Sequence, residues 1–131
     1  MVCGLLSALP LQAQVAIIAH KSVSSPAQEI SALADIFTLN TKNWSDGTKI
    51  TVVDYKNDTP SRTKFYAALG MSAGEMQKVW LRKQFSGKAT PPILLSSEDD
   101  VLVRVAATPG AIAYISADKV NSTVKVLVTI K

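Results

Sequence analysis

Cysteine and histidine each occur once, as Cys3 and His20. A lone thiol excludes an internal disulfide, and one histidine leaves neither a nucleophilic triad nor a cluster at zinc-ligand spacing. The six glycines are dispersed and form no Walker loop or dinucleotide fingerprint. The basic residues are scattered, with Arg82-Lys83 the only adjacent pair, so no basic cluster interleaved with aromatics marks a nucleic-acid surface. These absences argue against an enzyme, a metal site, a cofactor and a nucleic-acid partner. The run Val2 to Leu9 is far too short to cross a bilayer as a helix.

What is present suits one globular domain. The chain has 131 residues, 47% of them hydrophobic and 18% charged, enough for a single core. A formal charge of +4 and a pI near 9.3 favour anionic partners without choosing among them. Residues 1–14 read as the end of a secretory leader: an apolar stretch, Pro10 as breaker, and Leu11-Gln12-Ala13 before a cut near Ala13 or Gln14. Residues 15–131 are the expected domain, exported to the periplasm.

Periodicity divides that domain into alternating strands and helices. Val15 to Ala19 is a continuous apolar run, as in a strand buried on both faces. Ile30, Leu33, Ile36 and Phe37 recur at helical spacing, and Asp46-Gly47 marks a turn before a strand at Ile50 to Val53. Asp54 to Ser61 reads as a polar loop, followed by a helix with Phe65, Tyr66 and Leu69 on one face and Gly70 at its end. Ser72 and Glu75 match a capping box for a helix reaching about Phe85. Ile93 to Leu95 predicts a third strand, and Ser96 or Ser97 caps a helix whose first turn carries Glu98, Asp99 and Asp100. Strands at Ala111 to Ile115 and Val124 to Ile130 complete an α/β pattern with a mainly parallel or mixed sheet flanked by helices. Trp44 and Trp80 are expected in the core.

Thr59-Pro60-Ser61-Arg62 admits two readings. Thr59 as N-cap, Pro60 at the first helical position and Arg62 in solvent would be ordinary helix punctuation. A helix N-terminus also exposes unpaired N–H groups, to which the Thr59 and Ser61 hydroxyls and the Arg62 guanidinium add donors suited to phosphate or sulfate. Lys56 and Lys64 would add positive potential nearby. Lys21 and Ser22, just after the first strand, are secondary candidates because α/β sheets place ligands at strand ends.

Three segments bear on this choice by resemblance. Ile30 to Trp44, Val52 to Phe65 and Ala107 to Ile115 (ATPGAIAYI) are similar, in order and spacing, to segments of the periplasmic phosphate-binding proteins, the substrate-binding subunits of phosphate ABC transporters. The second segment occupies the place of that family's Ser-Gly-Thr-Arg helix start, with Pro60 in place of a glycine and Tyr55 where the family tends to carry an arginine. The resemblance implies one lobe of a type-2 periplasmic-binding-protein fold and an exported oxyanion-binding domain with Thr59, Ser61 and Arg62 at its site. It implies an ABC permease as partner. The missing second wall leaves two further expectations: a homodimer that builds the cleft from two copies, or an envelope interaction or sensory module that kept the fold without tight anion binding.

Overall fold

The computed structural model describes residues 14–24 and 29–131, so the expected leader lies outside the described residues except for Gln14. In chain order the elements are β1 (Val15–Ala19), α1 (Ile30–Phe37), β2 (Thr51–Tyr55), α2 (Pro60–Leu69), α3 (Ala73–Phe85), β3 (Ile93–Leu95), α4 (Glu98–Ala107), β4 (Ala111–Ser116) and β5 (Lys125–Ile130). A short 3-10 turn, Ala117–Lys119, links the last two strands.

The strands form one mixed sheet in the order β3-β2-β4-β1-β5. β2 runs parallel to both β3 and β4, whereas β1 is antiparallel to β4 and β5. All five residues of β1 are buried, as its unbroken apolar run requires of an inner strand with both faces covered. The β2-to-β3 and β3-to-β4 connections step in opposite directions across the sheet. Right-handed crossovers therefore put α2 and α4 on opposite faces, with their N-termini meeting above the carboxyl ends of β2 and β3. That meeting point frames the site.

Local signals set the helix ends. The Thr59 Oγ1 accepts the Arg62 amide at 3.0 Å, Pro60 opens α2 where its missing N–H costs nothing, and Gly70 closes it in the left-handed conformation at φ 74°. Ser72 and Glu75 form the reciprocal capping box of α3, at 3.1 and 2.8 Å. Ser97, rather than Ser96, caps α4 by accepting the Asp100 amide at 3.1 Å. Gly110, at φ 81°, is required twice over, because a Cβ there would lie 2.3 Å from the Lys49 carbonyl oxygen.

An aromatic cluster joins α1 and α2 to the sheet. Phe65 stacks on Tyr114 with ring centroids 4.4 Å apart, and Phe37 meets Phe65 edge-on at 4.8 Å. Both tryptophans lie in the core. Trp44 donates to the Gly110 carbonyl at 2.9 Å and Trp80 to the Phe37 carbonyl at 2.8 Å. Several boundaries shift by a residue or two from the sequence reading, and the one that bears on the site is that β2 continues through Asp54 and Tyr55, which polarity assigns to the following loop. Asp54 stays in the strand because the fold supplies its carboxylate with hydrogen bonds in place of water.

Candidate anion site

Asp54 lies beneath the carboxyl end of β2 and is fully buried. Its Oδ2 accepts the Tyr66 hydroxyl at 2.7 Å, and its Oδ1 accepts the Tyr55 amide at 2.7 Å and the Tyr114 hydroxyl. Burial raises the Asp54 pKa above the usual carboxylate value, opposed by the bonds from Tyr114, Tyr66 and the Tyr55 amide and by the charge of Arg62. Burial also raises the hydroxyl pKa values of Tyr66 and Tyr114, and the adjacent Asp54 charge adds to this, so both phenols remain hydrogen-bond donors. Tyr55 turns inward too, donating to the Tyr114 carbonyl at 2.7 Å.

Arg62 rests on this network. Its guanidinium carbon stands 5.2 Å from the Tyr66 ring centroid, a cation–π position. Only 6% of the residue is exposed, which corrects the reading of Arg62 as a solvated helix residue. Its ion-pair partner is weak: Nη1 lies 3.4 Å from Asp58, whose side chain is 82% exposed. The Nε of Arg62 is buried and has no hydrogen-bond partner. Desolvation alone would lower the Arg62 pKa, but Tyr66, Asp54 and Tyr114 outweigh it and the net shift is upward, so the group keeps its charge.

Arg62 and Asp58 line two adjoining shallow clefts between α2 and the start of α3. One, of about 360 Å³, is completed by Lys56, Asn57, Ala73 and Gln77. The other, of about 350 Å³, runs along Thr63, Tyr66, Met71 and Ser72. Thr59 uses its oxygen to cap α2 and keeps its hydroxyl hydrogen as a donor. Pro60 has no N–H and the Arg62 amide is engaged, leaving the Ser61 amide as the remaining first-turn donor.

Ser61 faces the other way. Its hydroxyl donates to Glu98 Oε2 at 2.9 Å, and the same oxygen accepts the Ser116 amide at 2.8 Å and hydroxyl at 3.0 Å. Glu98 thus ties together the ends of β2, β3 and β4, a role that its place in an acidic first turn did not reveal. Lys21 and Ser22 lie elsewhere. Because β1 is antiparallel to β4, Ala19 pairs with Ile112 near the start of β4, and the His20 amide bonds to the Ala111 carbonyl at 3.0 Å. They therefore sit at the opposite end of the sheet from Thr59, Ser61 and Arg62. There Ser22 turns back on His20, whose Nδ1 accepts the Ser22 amide at 3.0 Å.

A three-layer mixed sheet with two helix N-termini converging beside a buried arginine is the fold of one lobe of a type-2 periplasmic binding protein. Solved structures place it there. The chain is similar to a protein assigned as a phosphate ABC transporter substrate-binding protein from Clostridium perfringens, solved with bound phosphate: 21% identity and a TM-score of 0.72 over 86% of this chain and 43% of that one. An ABC-type phosphate transport receptor from Vibrio cholerae gives 19% and 0.68, covering 86% and 44%, and PstS from Borrelia burgdorferi gives 16% and 0.64, covering 86% and 46%. The chain thus spans less than half the length of each. No family model and no curated protein sequence matches it. These neighbours are transport proteins rather than enzymes.

Proposed function

We propose that this chain is one wall of a periplasmic phosphate-binding site, the substrate-binding component of an ABC importer, and not an enzyme. The observation that carries this reading is Arg62. A buried guanidinium normally satisfies most of its five donors, and this one has one weak ion pair to an exposed carboxylate, the Tyr66 side chain beside it and an orphaned Nε. An oxyanion in the clefts beside Arg62 would accept from Nε and feel the partial positive charge of the helix end, while Thr59 and Ser61, which line neither cleft, would contribute only from the adjoining helix start.

The carboxylates select among oxyanions. Asp58 lines both clefts beside Arg62, and an ionised carboxylate only accepts hydrogen bonds. A hydrogenphosphate brings an O–H to donate, whereas sulfate at neutral pH brings none and meets repulsion. Calorimetry of the whole chain with each anion tests this. Phosphate should release heat, sulfate should bind at least about tenfold more weakly, and Arg62→Met, which keeps the apolar stem, should abolish the phosphate signal. No heat with about 10 mM phosphate would sink the reading.

One observation favours a second reading, a protein-interaction or sensory module without tight anion binding. Glu98 already holds the Ser61 hydroxyl, so one predicted ligand is satisfied internally. Glu98→Gln distinguishes the two: it should leave phosphate affinity within about threefold if Arg62 carries the site.

A further inference from the structure

The outward face of α3 carries a feature that the anion site does not use. Met76 and Trp80 turn this helix toward the core. On the opposite side, at helical spacing, stand Lys78, Leu81, Arg82 and Phe85. Phe85 is 88% exposed and Leu81, one turn earlier, 50% exposed. Gly87 turns the chain sharply after the helix at φ 68°, and Lys88 follows at once, exposed. The described ion pairs, Arg62–Asp58 and Lys119–Asp99, involve none of these cations.

A shallow depression of about 340 Å³ beside this face is lined by Val79, Arg82, Lys83, Ser86 and Lys88. It adjoins a deeper cleft of about 270 Å³ that shares Lys88 and adds Lys42 and Lys49 over an apolar floor of Leu39, Ile50 and Val52. Neither lining contains an acidic residue. Lys42 donates to the Lys88 carbonyl, Lys83 to Asn40 Oδ1 and Lys49 to Thr90, but among the described residues no carboxylate neutralises these charges, and a phenyl ring protruding among them forgoes its burial.

We propose that the C-terminal half of α3, with Lys88 and Lys42 beside it, docks the chain on an anionic phospholipid bilayer, Phe85 and Leu81 entering the headgroup boundary and the cations lying over lipid phosphates. Charge complementarity selects this occupant: Glu75, one turn before Lys78, is taken up in the α3 cap, and from Lys78 to Lys88 the exposed charges are all positive. Its apolar content argues the same way. Two side chains fall well short of the roughly 800 Å² per partner of a stable protein interface, whereas an amphipathic helix on a bilayer combines a few apolar anchors with basic flanks. Arg62 and Asp58 sit at the other end of α3, beside Ala73. A thirteen-residue helix is about 20 Å long, so the anion site lies about that far from the anchoring ring.

Sedimentation of the whole chain with vesicles tests the proposal. Vesicles of phosphatidylcholine with about 30% phosphatidylglycerol should bind the chain at least about tenfold more strongly than pure phosphatidylcholine, and about 0.5 M salt should remove most of the difference. Arg82→Glu should weaken binding by about tenfold or more and Phe85→Ser by about fivefold or more, with thermal midpoints unchanged because both side chains are exposed. Equal binding to neutral vesicles, or wild-type binding by either variant, overturns it. So does failure to sediment with the anionic vesicles, which would leave an acidic protein surface as the occupant.

Discussion

Arg62 and Asp54 are two buried charges separated by the Tyr66 ring, and their energetics differ. Asp54 is satisfied, with three donors on its two oxygens. Removing one donor by Tyr66→Phe should cost about 1–3 kcal/mol in urea unfolding, the penalty of leaving a buried acceptor short. The raised pKa of Asp54 also fixes a pH dependence. A folded state that holds a proton more tightly than the unfolded chain gains stability below the unfolded pKa of about 3.9 and loses it as pH rises through the folded value. Wild-type stability relative to Asp54→Asn should therefore fall with rising pH above about 4, and a flat difference across the titration would contradict the assignment. None of this network was legible in the sequence, where Asp54 follows a β-branched strand and reads as the first polar loop residue. The partners that keep it buried lie 12 and 60 residues away.

The elements themselves were far more legible, because their signals are local. The apolar run of β1, the helical spacing around Phe37 and the capping box of α3 each depend on neighbours within one turn or one strand. Ser72→Ala should accordingly cost about 1 kcal/mol, since it strips one half of a reciprocal cap. Gly110→Ala should cost more, about 2 kcal/mol or above, because the left-handed φ and the Lys49 carbonyl both oppose a methyl group. Strand direction was not local. Lys21 and Ser22 were attractive as residues at the end of a strand, but the rule that places ligands there applies to parallel strands. The antiparallel pairing of β1 with β4 carries them to the other end of the sheet. Glu98 escaped for a related reason: its acidic first turn suits α4, while its bond to Ser61 appears only when the topology brings β2 and β3 side by side.

At the scale of the molecule, two clefts on one lobe leave a bound ion with one face in water. The similar solved structures are matched over less than half of their own length. A single wall should bind phosphate weakly, with a dissociation constant of about 0.1–1 mM, and a second wall from a partner lobe or another copy would tighten it. The basic face of α3 lies at the other end of that helix from Arg62, so recognition of phosphate and docking to lipid are separable by mutation. Arg62 is buried with its Nε unsatisfied, whereas the cations around Phe85 are exposed and none of them is paired with a carboxylate in the described ion pairs.

The central claim is that the Arg62 Nε–H waits for an oxyanion, and its resonance reports on that directly. In a nitrogen–proton correlation spectrum of the whole chain, adding phosphate should shift the Arg62 Nε–H signal along a saturating curve complete by about 10 mM, while the exposed Arg82 and Arg104 signals stay in place. An Arg62 signal that stays fixed, or moves only as the solvent-exposed arginines do, would contradict the account.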